Sequence, residues 1–468
     1  MLSPGRLVEL LGVDRATAYA MAVQVWSVVG GVVTIAIITH RFSPELQGYY
    51  YTFASVLALQ AFLELGLGVL LQQLASHEWA RLSFDARGRV IGDDGSRSRL
   101  ASLVRLALRW YGIAGILLIV GIGLGGHAYF QSFPHRAGGD EILWRLPWWM
   151  VSTLTGAALL LVPALATLEG CNQVARVQRL RLTQGILSRI GIWATILAGG
   201  GLWTLAAGKA AAFLAGAWVV LRRYGSFFSS LLGEPSPQPI QWHREIWPLQ
   251  WKYALSWLGG YFFFSLFTPV LFAFQGPVVA GQMGMTLAVM GALSSLAYAV
   301  VATQVPRIAV AAARREFDAL DRLFVRAAAS SLLLAGVGAL GMGWGLHMLN
   351  VWNVPLAARF LSPQDAALLL LAMVVQHSKH AMRSYLRAHK QEPYWPLSLI
   401  EGGLAVVALP LLGKWYGATG MAAGFLLITL VTWVPALVIF RRHRRQRYGL
   451  DFDAAGMSEG VPSPSGQW

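Results

Sequence analysis

Ionisable side chains interrupt the apolar stretches of this sequence at only a few places, and those places define the chemistry open to it. Gln60 and Glu64 stand four residues apart and, with Gly68, share one face of a helix, so an amide and a carboxylate would look into a helical bundle together. Gln376, Lys379, His380, Arg383 and Arg387 recur at spacings of one, three and four, a cationic stripe along one helical face. Arg189, Glu401 and Lys252, the last sharing a face with Ser256 and Gly259, complete the set. A charge in hydrocarbon is costly unless it meets a cavity or a partner, so each is a functional candidate. The competing role for each is structural: a hydrogen bond to a neighbouring helix, or a long side chain snorkelling to the interface.

Fixed positive charge in a low-dielectric cavity attracts an anion far more strongly than it does in water. Arg offers paired N–H donors and Lys a point charge, which suits phosphate or diphosphate. Arg189, Lys252, Lys379, Arg383 and Arg387 are therefore the expected substrate-binding residues. Glu64, Gln60 and Glu401 are the expected cation-coupling residues, with Glu64 taking up and releasing a proton.

Other chemistries find little support. The lone Cys171 excludes an intramolecular disulfide and offers no zinc spacing. Gly121-Ile-Gly-Leu-Gly-Gly126 matches GxGxxG in letters but ends an apolar stretch with no strand before it. His77-Glu78 lacks the second His of HExxH, and no Walker A sequence is present. No cofactor or metal is expected. Nor is an enzyme: a membrane-bound polysaccharide polymerase or glycosyltransferase would need a sizeable catalytic loop. The longest loop on the outer side, His127 to Leu146, spans only about 20 residues.

The elements that must position the candidates are hydrophobic stretches of roughly 17 to 25 residues, each long enough to cross a bilayer as a helix. Twelve can be marked: 19–39, 51–71, 106–126, 147–167, 184–203, 205–221, 251–274, 279–301, 327–349, 365–387, 395–412 and 419–440. At 56% apolar and 13% charged residues over 468, the chain has too little polar surface for a soluble globule. The first stretch is too long for a signal peptide, and Leu7 to Val13 reads as an interfacial helix before it.

Thirty of the 37 Lys and Arg residues fall at the N-terminus, in alternate loops and in the C-terminal tail. The positive-inside rule then places both termini in the cytoplasm, with the chain in the inner membrane of the cell. The net charge of +15 is accounted for by these short basic loops, so nucleic acid is not an expected partner, whereas membrane lipids are.

Three echoes suggest duplication. Ser43-Pro-Glu-Leu-Gln-Gly48 before the second stretch matches Gly276-Pro-Val-Val-Ala-Gly281 before the eighth. Arg105-Leu-Ala-Leu-Arg109 matches Arg322-Leu-Phe-Val-Arg326, and Gln184-Gly185 matches Glu401-Gly402. The expected organisation is an N-terminal six-helix lobe at 1–221, a linker at 222–247 with the Pro-rich Glu234 to Pro239, a C-terminal six-helix lobe at 248–440, and a tail at 441–468. Two parallel repeats of this kind place a substrate path between the lobes.

Phe42-Ser-Pro-Glu-Leu-Gln-Gly-Tyr-Tyr-Tyr51, Glu64-Leu-Gly-Leu-Gly68, Gln250-Trp-Lys-Tyr-Ala-Leu-Ser-Trp257 and Gly276-Pro-Val-Val-Ala-Gly-Gln-Met-Gly284 resemble Wzx-type polysaccharide flippases of the MATE-like superfamily of multidrug, oligosaccharidyl-lipid and polysaccharide exporters. The resemblance covers nearly the whole chain in span count and six-plus-six division. It implies an all-α polytopic membrane protein of about twelve transmembrane helices in two pseudo-symmetric lobes. It also implies transfer of an undecaprenyl-diphosphate-linked, anionic oligosaccharide for cell-surface polysaccharide or lipopolysaccharide biosynthesis, with polysaccharide polymerase machinery as a candidate partner. A MATE-like cation-coupled drug antiporter shares the architecture, but favours acidic or apolar cavities over a cationic one.

Overall fold

A computed structural model describes residues 15–64, 66–133, 136–137, 140–233, 239–247, 250–251, 265–314, 316–388 and 393–447. The first half contains α1 (Arg15–Arg41), α2 (Pro44–Leu57), α3 (Gln60–Glu64) and α4 (Leu67–Trp79), a hairpin of β1 (Leu82–Phe84) and β2 (Val90–Gly92), α5 (Asp94–Leu117) and α6 (Gly123–Ser132). A two-residue hairpin, β3 (Arg136–Ala137) and β4 (Asp140–Glu141), leads to α7 (Arg145–Leu159), α8 (Leu161–Leu168), α9 (Val174–Leu197) and α10 (Trp203–Leu232). The second half contains α11 (Phe267–Gln275), α12 (Pro277–Ala313), α13 (Phe317–Val351), α14 (Pro363–Ala388) and α15 (Trp395–Arg447).

Seven helical runs among the described residues are long and apolar enough to cross a membrane, eight with the bent pair α2–α4. Two of the seven are double. The run Arg145–Leu197 leaves helical dihedrals at Cys171 and Asn172, where Asn172 takes φ 59°. The run α15 turns at Gly417 (φ 61°), and a Cβ at Gly424 would come within 2.4 Å of the Leu412 side chain, so its two legs lie against each other. The polar α14 runs beside them. Eleven of the twelve expected stretches thus lie on described helices, and most of the seventh, including Lys252, lies outside the described residues. The chain is an all-α polytopic membrane protein, and large apolar side chains such as Leu340 and Trp344 are exposed where lipid would cover them.

Three expectations need correction. Gln60, Glu64 and Gly68 do not share one straight helix, because Gly66 adopts φ 68° and the chain bends by 40° between α2–α3 and α4. Helix α10 does not stop at Arg222 but runs to Leu232, directly before the Pro-rich stretch, most of which lies outside the described residues along with Leu7 to Val13. The basic loop before α5 forms the unexpected β1–β2 hairpin, whose turn is closed by the Asp85 carboxylate accepting from the Arg87 and Arg89 amides. Trp79, Phe84 and Phe227 pack it onto α10.

The halves meet at the ends remote from the basic loops. There one hydrophobic core takes in Tyr49, Phe53, Phe130 and Trp148 from the first half and Phe267, Phe272, Leu409 and Phe425 from the second. At the basic face the halves have separate cores, one around Leu71, Leu103 and Phe227, the other around Phe324, Tyr385 and Phe440. Among the described residues the halves therefore share a core at the far face and have separate cores at the basic face.

The first sequence echo forms the seal. Pro44 and Pro277 each start a helix, and α2 packs along α12 with the echoed glycines Gly48 and Gly281 in backbone contact. The Gln47 side chain donates to Gly281 O (2.9 Å) and to Arg359 O (3.1 Å). A Cβ at Gly48 would sit 2.0 Å from Pro277 O, and backbone on both sides cannot yield cheaply. Gly48→Ala should therefore destabilise the closed far face by about 1–3 kcal/mol. Thermal unfolding in detergent checks this against Gly31→Ala, where a Cβ meets nothing within 4 Å; equal effects of the two substitutions would contradict the seal.

Residues 239–247 fold back on the first half. Arg99 bridges Glu78 (2.8 Å) and Glu245 (2.5 Å), Trp242 stacks on Trp110, and Ile240 N donates to Ser102 Oγ. Acceptance of the Gln241 amide, then the bond from Arg99, holds the Glu245 carboxyl below its ordinary range. A depressed carboxyl stabilises above its unfolded value and loses that contribution as pH falls through the folded one. At about pH 4, near the ordinary Glu value, pepsin should therefore cut residues 239–247 severalfold faster in Glu245→Gln than in the parent. Equal cutting rates would show that the pair does not hold the segment.

Candidate functional site

A cavity of ≈ 360 Å³ lies between the halves, bounded by α1, α2 and α9 on one side and α12 on the other. Its second-half wall is formed by apolar and small side chains such as Val289, Leu293 and Leu296. Its first-half wall sets polar groups among apolar ones: Gln24, Ser27 and Thr34 stand beside Val28, Val32, Ile35 and Ile38 on α1, with Tyr50 and Tyr51 from α2 and Arg189 from α9. Among the described lining residues Arg189 is the one charged group, and no carboxylate joins it.

Arg189 is held by its neighbours. Its stem lies over Gly30, where a Cβ would come within 3.2 Å of Arg189 Cγ. Arg189 Nη1 donates to Thr34 Oγ1 (3.2 Å), and Trp193 Nε1 donates to the same oxygen (2.9 Å). Thr34 in turn donates to Gly30 O (2.6 Å), within α1. The guanidinium is thus aimed by a neutral hydroxyl, which leaves most of its five N–H donors to the cavity side.

The other candidates are distributed elsewhere. Lys379 is buried, forms an ion pair with Glu401 from α15 and donates to Thr432 Oγ1 (3.0 Å). Thr432 also donates to Glu401 (2.6 Å). A residue expected to bind substrate and one expected to couple a cation therefore pair with each other inside the second lobe. Arg383 donates to Ser398 Oγ (3.1 Å) and lies 5.9 Å from the Tyr394 ring centre, while Arg387 is exposed in the last turn of α14. Around them Ser331 donates to Ala297 O and accepts from His377 Nε2, both at 2.6 Å, and Tyr298 bonds Ser384. These hydroxyl and imidazole bonds join α12, α13, α14 and α15 into one polar seam.

Gln60 and Glu64 end α3 at the bend before Gly66, half-buried, with Lys209 of α10 as the electrostatic partner of Glu64. Lys209 stands near the start of the apolar stretch 205–221, a place where a long cationic side chain ordinarily marks an interface. Helix α10 begins at Trp203 and carries it inward. Sequence reasoning passed over Thr34, Ser331, Thr432 and His377. Three are small hydroxyl residues that look apolar enough in a span, and His377 lies one position off the stripe. Among the described residues no group of three or more His, Cys, Asp or Glu converges on one point.

No protein-family model and no curated protein sequence matches this chain. Solved structures do. An inward-facing multidrug resistance MATE family transporter of the MOP superfamily superposes with TM-score 0.63 at 13% identity, covering 92% of this chain and 99% of the other. The chain has the MATE-like fold. The lipid II flippase MurJ in an inward closed conformation gives TM-score 0.58 at 11% identity, covering 91% and 87%. A MOP superfamily transporter from Pyrococcus furiosus, described for the reversed polarity of its binding pocket, gives 0.51 at 12%, covering 96% and 99%.

The ion pair in the second lobe has a measurable signature. Lys379→Met or Glu401→Gln alone leaves a buried charge uncompensated and should lower stability by about 3–5 kcal/mol. The double variant should recover most of that loss, a coupling seen by thermal or denaturant unfolding of the four proteins in detergent. Additive losses would show that the two side chains do not depend on each other.

Proposed function

We propose that this chain moves an anionic, lipid-linked oligosaccharide across the membrane by alternating access, with the diphosphate of an undecaprenyl carrier held in the inter-lobe cavity. The observation that carries the reading is the charge of that cavity: one arginine, with hydroxyls and one amide on the first-half wall, a mostly apolar second-half wall, and no carboxylate among the described lining residues. A phosphate oxygen would replace Thr34 on Arg189, exchanging a neutral acceptor for a charged one, the stronger bond. Tyr50, Tyr51, Ser27 and Gln24 supply hydroxyls and an amide for the first sugar. The division of the halves at the basic face gives such a cargo an entrance, and the far-face seal keeps the path shut at the other end.

Within this reading both termini are cytoplasmic, the membrane is the inner membrane, and the transferred glycan feeds cell-surface polysaccharide synthesis. A fold neighbour described as a lipid II flippase supports a lipid-linked cargo. Arg383 and Arg387, toward the basic end of α14, would meet the anionic headgroup on its approach, as would Lys252. Lys379 is assigned to the second-lobe ion pair instead. Glu64, at the hinge of the first lobe and opposed by Lys209, is assigned to cation coupling, with Gln60 beside it. A drug antiporter for organic cations fits less well, because its cargo would face Arg189 with no acid to offset it.

The test is the leaflet distribution of lipid-linked glycan, probed with an impermeant glycan-modifying enzyme, in cells whose only copy carries Arg189→Ala. Loss of one charge-assisted interaction of about 1.5–3 kcal/mol predicts export reduced about 10- to 100-fold, with the lipid-linked glycan held on the cytoplasmic leaflet. Unchanged leaflet distribution with altered drug or ion tolerance would move the assignment to an antiporter.

A further inference from the structure

A second pocket, of ≈ 300 Å³, lies wholly within the first half at the basic face, between the start of α1, the α8–α9 break and α10. Four arginines line it, Arg15, Arg176, Arg179 and Arg223, and all four are exposed. Its deeper wall is apolar, from Leu165, Leu168 and Val219. No acidic side chain is among its described lining residues, and Glu169, next to the lining Leu168, is engaged by Arg181 at 3.1 Å. Arg176 donates to the Gln173 amide oxygen, a neutral partner that a phosphate would outcompete.

Tyr224 adds an independent sign of a missing ligand. It lines this pocket, its side chain is only 6% exposed, and its hydroxyl is buried without a hydrogen-bond partner among the described residues. A buried hydroxyl left unmatched costs about 1–3 kcal/mol, and protein interiors rarely leave one so.

We infer that this pocket seats the phosphate headgroup of an anionic membrane phospholipid. The arginines surround the phosphodiester, Tyr224 donates to one of its oxygens, and the acyl chains leave along the apolar wall toward the bilayer. Cationic pockets between helices at the headgroup level bind such lipids. The consequence reaches the central cavity through one helix. Arg15 and Tyr19 of α1 line the lipid pocket, and Gln24 and Ser27, one to two turns further along, line the cavity. A lipid at this pocket therefore braces the helix on which Arg189 is aimed. The inference does not depend on what the central cavity carries.

The test uses the full chain in zwitterionic phosphatidylcholine nanodiscs, titrated with phosphatidylglycerol and read by thermal stability and by lipid retained on delipidation. The parent should be stabilised by phosphatidylglycerol and retain it over phosphatidylcholine. Arg176→Gln with Arg179→Gln and Arg223→Gln should lose that preference about tenfold or more, and Tyr224→Phe, which keeps the packing, should lose it severalfold. Arg441→Gln with Arg442→Gln, at the basic face of the other half, should leave it unchanged. Equal losses in the control pair would show a general surface-charge effect and overturn the site, as would an unchanged preference in the triple variant. Stabilisation by inorganic phosphate matching that by phosphatidylglycerol would replace the lipid with a free phosphate.

Discussion

Everything in this molecule hangs on the backbone contact between α2 and α12 at the face remote from the basic loops. Helices in lipid gain nothing from hiding apolar surface from one another, so close association needs small residues that let backbones touch. Gly48 and Gly281 provide that, and a polar Gln47 crosses the junction to the Gly281 and Arg359 carbonyls. The surrounding aromatic cluster of Tyr49, Phe53, Phe130 and Phe272 adds buried area through edge-on contacts and one stacked pair, Tyr49 with Phe130. A few hydrogen bonds, one glycine contact and a shared hydrophobic core hold the halves together there, and among the described residues their cores at the basic face are separate. An equilibrium between two openings needs such a seal, firm in one state but not prohibitive to part.

The breaks in the helices are as informative as the helices. A bilayer supplies no water to satisfy backbone groups, so departures from helix at membrane depth survive only where the protein itself lines them. Gly66 is such a place, two residues after Glu64, and the bend puts the carboxylate at a joint between segments of the first lobe. Asn172 and Gly417 are different: each lets one leg of a long run reverse against the next, and each takes a positive φ that explains its residue type.

Much of the architecture was legible because its causes are local. Span length, the clustering of basic residues in alternate loops and the repeated Pro-x-x-x-Gly starts of α2 and α12 can all be read along the chain, and the last proved to be the contact itself. Pairings between distant segments could not be read this way. The stripe from Gln376 to Arg387 shows in sequence as a polar face, yet nothing in it tells that Glu401, 22 residues on, reaches Lys379. The bend at Gly66 was missed for a related reason: a glycine in an apolar run is compatible with a straight helix, and only the tertiary setting decides.

The buried cations can be ranked by what already holds them. Lys379 has a carboxylate and a hydroxyl, so an arriving anion would have to displace a charged partner and strand Glu401 in a low-dielectric site, a cost of several kcal/mol. Lys209 has the Glu64 carboxylate as its electrostatic partner within the first half. Arg189 faces a threonine hydroxyl, tyrosines and open cavity. An anion entering there displaces a neutral acceptor and brings countercharge to the one lining group that lacks it. When the anion leaves, Thr34 is in place to receive the guanidinium again, so the empty cavity carries no stranded donor. Under the proposed function a carrier must bind its cargo and let it go, and of the three cations Arg189 is the one whose surroundings would allow both steps at low cost.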